Sequence, residues 1–243
     1  MHPPLMIPPS EPRPAERPHK RYKSQLVARV LGQEPRTLLE VGCGAGDLLA
    51  QLRDEGVAVT GVEPEQCARE LAAGRGLDVQ PARAEALPFA DRAFDLVIFD
   101  YTAHHVERLG RALSEAVRVA RRGVLVLDSW YDEDLPCQRV ARAYDEWVKR
   151  IDRRLGFVHN PSIPAAELMR GLTAAARADV EYSYHLVHTL LPTSALEASA
   201  RVRLADVGSP SELTDELDRI LDGARRHGIS DDGCVLLQAL RVA

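Results

Sequence analysis

The sequence predicts an α/β fold: a doubly wound, mostly parallel, seven-stranded sheet with helical lid insertions. Three observations predict it. Apolar, β-branched runs alternate with helix-period segments between residues 37 and 127, the rhythm of a parallel sheet with right-handed crossovers. The stretch Leu38-Leu39-Glu40-Val41-Gly42-Cys43-Gly44-Ala45-Gly46-Asp47 reads as a buried strand, a glycine loop and the start of a helix. Acidic residues stand where strands end, at Glu63, Asp100 and Asp128. Open α/β sheets bind ligands at the carboxyl ends of their strands.

The elements follow in order. Residues 1–18 hold seven of the sixteen prolines and no apolar period, which predicts a flexible tail. Residues 19–31 form a helix with Leu26, Val27, Val30 and Leu31 on one stripe. Strand one covers 37–41, its helix 47–55, strand two 57–62, and a helix follows Pro64. Strand three lies near 77–80, strand four at 94–99, a helix at 106–120 and strand five at 123–127, closed by Asp128. Beyond that the rhythm breaks. Helices are expected at 138–154 and 165–176, strand six at 179–187, helices over 192–226 and a last strand at 234–242. Residues 19–243 read as one domain, with helical insertions near 134–160 and 192–228 that suit a lid.

Composition narrows the function. The net charge of −5 and pI of about 5.9 argue against a nucleic-acid binder, which needs a basic face to displace counterions. No apolar run approaches the roughly 20 residues of a membrane span. The N-terminus lacks the basic and apolar regions of a secretory signal. The cysteines at 43, 67, 137 and 234 are scattered, so a reduced cytoplasmic chain without disulfides or a metal site is expected.

Two ligand classes use such a glycine loop. Dinucleotide sites want G-x-G-x-x-G/A, but here Asp47 takes the last position and Gly46 comes one residue early. Glu63, twenty-one residues after Gly42, can accept both hydroxyls of a ribose, whichever adenosine ligand carries it.

These residues resemble the class I S-adenosylmethionine (SAM)-dependent methyltransferases, in the small-molecule branch called methyltransferase type 11. The resemblance covers about residues 38–127. It rests on Leu39-Glu40-Val41-Gly42-Cys43-Gly44-Ala45-Gly46, on Val59-Thr60-Gly61-Val62-Glu63-Pro64, on Ala84-Glu85-Ala86-Leu87-Pro88-Phe89, and on Phe94-Asp95-Leu96-Val97-Ile98. Ala116-Val117-Arg118-Val119 before Gly123 resembles the usual approach to strand five.

The resemblance implies a SAM site, with S-adenosylhomocysteine as product. Glu40, Gly42, Cys43, Gly44 and Gly46 would pass the methionine part, and Glu63 with Pro64 would hold the ribose. Ala84, Glu85 and Leu87 would border the adenine, and Asp100 would sit at the amino-acid end. Ala82-Arg83 replaces the family's Gly-Asp, so the usual adenine carboxylate is missing. The usual Gly-Gly before strand five is Arg122-Gly123.

Methyl transfer from a sulfonium requires alignment and exclusion of water, and a base only where the nucleophile must lose a proton. Tyr101, His104 and His105 follow strand four and are the catalytic candidates. Either histidine also suits plain packing under a cofactor. Trp130, Tyr131, His19 and His188 are candidate substrate contacts. Tyr22 is a candidate for the SAM carboxylate, with a helix-start role as the alternative. The run from Lys149 to Arg154 reads as a solvated helix face.

A small-molecule methyltransferase is therefore expected, of a kind that tailors bacterial natural products, with O-, N- and C-methylation left open. The rivals are a quinone or lipid-precursor C-methyltransferase, a SAM-fold protein that does not methylate, and an NAD-dependent oxidoreductase. No nucleic-acid partner and no membrane span are expected, and the chain is read as a monomer or homodimer.

Overall fold

A computed structural model describes residues 18–240, with side chains from residue 22 onward. The proline-rich segment lies outside these residues, as do the last three.

Helix α1 (Pro18–Leu31) leads into β1 (Thr37–Val41), α2 (Asp47–Asp54), β2 (Ala58–Val62), α3 (Gln66–Ala73) and β3 (Val79–Gln80). Strand β4 (Phe94–Asp100) ends in a single 3₁₀ turn over Ala103–His105, followed by α4 (Leu109–Val119) and β5 (Ala120–Trp130). The second half holds α5 (Pro136–Arg154), α6 (Ala165–Ala176), β6 (Val180–His185), α7 (Thr193–Asp206), α8 (Ser211–His227) and β7 (Gly233–Leu240). The seven strands form one sheet in the order β3-β2-β1-β4-β5-β7-β6. Strands β1 to β5 pair in parallel, and β7 runs antiparallel between β5 and β6.

Alternation along the strands sorts the core onto two faces. Leu39, Val41, Val97, Phe99, Val124 and Val126 pack with α4 and α6. Leu38, Leu96, Ile98, Leu125 and Leu127 face the other way, onto α1 and α2. Helices α5, α7 and α8 bury a third cluster around Trp147, Leu204, Leu217 and Leu221. The Trp147 indole N–H donates to the Leu213 carbonyl at 2.9 Å, so the largest side chain of that cluster is polar-satisfied where it is buried.

Several boundaries differ from the sequence reading, and three have a clear physical cause. Strand β5 continues through Asp128 to Trp130, because β7 pairs along its whole length, from Gly123↔Leu240 to Trp130↔Gly233. Helix α3 starts at Gln66 with Glu65 as its cap, so Pro64 precedes it instead of forming its first turn. Helix α4 starts at Leu109, because Val106 is extended after the 3₁₀ turn. Lys149 is a further correction. It is 1% exposed, pairing with Asp145 at 2.7 Å and donating to Ser162 Oγ at 3.0 Å. The helix face read as solvated is buried there.

At the amino edge of the sheet, the Asp95 carboxylate accepts the N–H groups of Arg36 and Thr37 at 2.8 and 3.2 Å and meets the Arg121 guanidinium at 2.6 Å. Its own N–H donates to Thr37 Oγ1. This ties β1, β4 and β5 at the end remote from the glycine loop.

Candidate active site

The glycine loop joins β1 to α2. All three glycines have positive φ, +70°, +54° and +78° at Gly42, Gly44 and Gly46, which L side chains adopt only with strain. Their surroundings differ. A Cβ on Gly42 would fall 2.3 Å from Thr102 Cγ2, and one on Gly46 2.3 Å from Leu77 Cδ1, whereas one on Gly44 would meet nothing within 4 Å. Gly42 and Gly46 are needed for packing. Gly44 opens on free space and supplies the cradle.

Cys43 contributes little to that space. Its side chain packs into the core beside Gly61, and burial pushes its thiol up to about 12. Its N–H is given to the Val62 carbonyl, and its carbonyl accepts the Gly46 N–H. The Glu63 carboxylate stands beside Gly44. Oε2 accepts the Gly44 N–H at 3.0 Å and Oε1 the Glu65 N–H at 2.9 Å. Each carboxylate oxygen has two lone pairs, so both keep capacity for a hydroxyl donor. The Pro64 carbonyl accepts from Arg69.

Glu40 and Asp100, near the carboxyl ends of β1 and β4, form an acidic pair. Burial first, then the Asp100 charge, hold the Glu40 carboxyl well above the usual range. Its Oε2 is buried without a hydrogen bond. Lys23, from α1, pairs with Asp100 at 2.9 Å. Burial disfavours its ammonium, but the Asp100 carboxylate outweighs that and raises its pKa. Sequence reading missed Lys23, since only the docking of α1 brings it here.

Beside this pair, Tyr101 has φ +52°, backbone strain of the kind kept at ligand-binding edges. Its hydroxyl lies among Asp232, Cys234 and Tyr22, and burial drives its pKa far up. Burial thus keeps this phenol protonated. Tyr22 is likewise committed. Its hydroxyl donates to the Asp232 carbonyl at 3.2 Å and accepts the Val187 N–H at 2.9 Å, clasping α1 to the chain around β6 and β7.

On the adenine side, Ala84 and Leu87 are buried. The Leu87 N–H is taken by Glu115 at 3.0 Å. The Glu85 carboxylate accepts the Arg108 N–H at 3.0 Å ahead of α4. The Leu87 N–H is thus engaged, while the Glu85 carboxylate, like that of Glu63, keeps acceptor capacity.

His104 is buried and bonded to one carboxylate twice. Its Nδ1 lies 2.6 Å from Asp128 Oδ1, and its N–H donates to Oδ2 at 3.3 Å. His105 Nδ1 lies 2.9 Å from the Val158 carbonyl. Burial and then His104 push the His105 pKa down to about 4, so its ring is neutral at physiological pH. Asp128 is a partner the sequence reading placed only as a strand end.

The other expected contacts scatter. Trp130 stacks on Tyr184 with ring centres 4.5 Å apart. Tyr131 packs against the α5–α8 cluster, its phenol held well above the usual range by burial and then Asp145. His188 meets Cys137 Sγ at 3.5 Å. The side chain of His19 lies outside the described residues. A surface groove of about 590 Å³ between α5 and α8 is lined by Arg150, Arg154, Glu212 and Glu216. Arg150 pairs there with Glu216 and Arg154 with Glu212, and Arg153 and Arg219 also line it.

Comparison with known proteins places the same segment in a family. Residues 39–127 match the methyltransferase domain family. An uncharacterized methyltransferase of Mycobacterium avium is 39% identical over 100 residues, which is 39% of this chain and 39% of that protein. Ajmaline N-methyltransferase of Rauvolfia serpentina is 30% identical over 129 residues, 49% of this chain and 44% of that protein. The chain thus aligns with about two fifths of the length of these curated relatives. Among solved structures, the YcgJ protein of Bacillus subtilis superposes with a TM-score of 0.64 at 19% identity, over 93% of this chain and all of that one. That likeness extends the fold beyond the matched segment.

Proposed function

We propose, from the premise that residues 39–127 are a methyltransferase domain, that this protein transfers a methyl group from SAM to a small molecule. The observation that carries the reading is the open face of Gly44 beside the buried Glu63 carboxylate. An adenosine ligand needs close backbone approach on one side and a double acceptor for ribose hydroxyls on the other. The donor set fits SAM. Glu63 would take the ribose, and the acidic pair Glu40–Asp100 would take the α-ammonium.

SAM brings a methyl group already activated by its sulfonium. What remains for the chain is binding, orientation and exclusion of water. The glycine loop and Glu63 fix the donor. The Asp128 carboxylate accepts from His104 Nδ1 and so leaves Nε2 with its lone pair. The turn that carries His104 begins after Thr102, which packs on Gly42. The likeness to ajmaline N-methyltransferase supports a small acceptor, and we extend it to a natural product.

The test is calorimetry with SAM and with NADH, then labelled SAM with pools of small molecules. SAM should bind one to one, and S-adenosylhomocysteine should appear with the right pool. Binding of NADH without SAM would replace the reading with a dehydrogenase. SAM binding without S-adenosylhomocysteine from any pool would leave the fold and remove methyl transfer.

A further inference from the structure

We propose that His104, His105 and His159 together bind one divalent transition-metal ion, with at least one coordination position left open at the carboxyl edge of the sheet. One nitrogen of each ring lies within 4.8 Å of the others. The ring centres are 4.3 Å apart for His104–His105, 4.4 Å for His105–His159 and 5.2 Å for His104–His159. The sequence pattern hides this group, since His159 lies in the loop after α5, more than fifty residues from the other two.

The hydrogen bonds around the rings point to a ligand at the centre. His104 Nδ1 faces the Asp128 carboxylate at 2.6 Å, His105 Nδ1 the Val158 carbonyl at 2.9 Å, and His159 Nδ1 the Asp152 carboxylate at 2.7 Å. A carbonyl or a carboxylate can only accept, so each ring donates at Nδ1 and keeps its lone pair on Nε2. Among the described residues no hydrogen bond reaches those three Nε2 atoms, which in the neutral rings carry the lone pairs a metal would take. An outward Nδ1–H on a carboxylate or main-chain carbonyl is the support that metal-ligating histidines carry. Here all three rings carry it.

The frame is held from both sides. Asp128 grips His104 through both oxygens. The loop bearing His159 is pinned to the 3₁₀ turn, where Asn160 donates its N–H to the His104 carbonyl at 2.8 Å and its amide to the Val106 carbonyl at 2.7 Å. An ion with nitrogen ligands at about 2.0–2.1 Å in tetrahedral geometry sets them about 3.4 Å apart. Ring nitrogens up to 4.8 Å apart must therefore close by about 1.5 Å at most. His105 and His159 are not fully buried and can turn to do so.

Three imidazoles favour zinc, cobalt, nickel or copper over magnesium and calcium, which prefer oxygen. Asp128 and Asp152 supply negative charge behind the rings. Three protein ligands leave a fourth position for an oxygen or nitrogen donor of a small molecule, as in catalytic rather than structural sites. That role, unlike the binding itself, rests on the methyl-transfer reading. There the ion would hold and polarise the acceptor atom.

The full-length protein, stripped with chelator, is titrated with Co²⁺ and with Zn²⁺. Visible absorption of four-coordinate cobalt and calorimetric stoichiometry are read, with SAM binding measured on the same samples. The expected result is one ion per chain, with no heat from Mg²⁺. His159→Ala and His105→Ala, each folded by circular dichroism, should abolish the cobalt band while SAM affinity stays within about two-fold. Asp152→Asn keeps all three imidazoles and should weaken the metal about 10–100-fold. No binding below millimolar metal, or a cobalt band unchanged in either histidine variant, would overturn the proposal. Failure of SAM to bind while the cobalt band persists would instead strike the methyl-transfer reading and leave the metal site standing.

Discussion

Strand β4 carries an aspartate at each end, and the two lie in opposite surroundings. At the amino edge, Asp95 meets two main-chain N–H groups and the Arg121 guanidinium. Burial opposes its charge, yet these donors hold its carboxyl below the usual range. At the carboxyl edge, Asp100 stands beside Glu40 and pairs with Lys23, and the buried Glu40 carboxyl is driven the other way. One edge spends its acids on joining strands. The other concentrates acid, beside a loop that leaves space open, where a ligand's cation and hydroxyls are needed. Strain at Tyr101 and the open cradle at Gly44 lie on that same edge.

The sharpest way to break this contrast is Gly44→Val. A branched side chain would fill the open cradle, so SAM binding should be lost by calorimetry. The fold should lose only the left-handed backbone term, about 1–2 kcal/mol, seen in chemical denaturation. SAM binding at parental affinity would remove Gly44 from the ligand's path.

Asp95→Ala probes the other edge. It strips an acceptor from three donors, and we expect a stability loss of about 3 kcal/mol with SAM affinity of the folded fraction unchanged. The contribution of Asp95 has a defined pH sign. With its folded pKa depressed, it is present above the ordinary value of 3.8 and lost as pH falls below it toward the folded value. A parent and variant with parallel stability profiles from pH 6 down to pH 3 would contradict this.

Glu63→Ala sharpens the ligand side. Losing a buried acceptor for ribose hydroxyls should weaken SAM by about 1–3 kcal/mol. Because Glu63 also accepts from the Gly44 N–H, part of that loss comes from the loop, and Glu63→Gln should recover some of it. Unchanged affinity in Glu63→Ala would move the ribose elsewhere.

The sequence carried those elements well whose signals are local. Thr37–Val41 and Ala165–Ala176 have the bounds their own patterns predict, and the glycine spacing marks the loop directly. What escaped was decided by distant partners. The extension of β5 depends on β7, about a hundred residues later. Lys23 reaches Asp100 only when α1 docks, and His159 meets His104 only through the loop after α5. Residue type alone does not show how a side chain is packed. Tyr22, Tyr101 and Tyr131 look like ligand groups in a string of letters, but their hydroxyls are committed within the packed chain. Glu85 is taken up by the main chain before α4.

Glu40→Gln separates the two edges most finely. The raised carboxyl of Glu40 has a sign opposite to that of Asp95. Below its ordinary value of 4.5 both folded and unfolded chains are protonated there, and the group is neutral in the balance. As pH rises past that value the unfolded chain ionises freely while the fold resists, so the ligand-free parent loses stability relative to the variant up to the folded pKa. Glutamine keeps the shape without the charge, so the variant should match the parent at pH 3.5, below the ordinary value, and be more stable, by at least about 1 kcal/mol, at pH 8. Binding of an α-ammonium beside Glu40 should favour its carboxylate and release a proton. Calorimetry of SAM in buffers of different ionisation enthalpy would read that release in the parent. In Glu40→Gln the buffer dependence should vanish and the affinity fall by a few-fold. Equal proton release in both proteins would assign the ammonium to Asp100 alone and leave Glu40 as a buried acid with no part in binding.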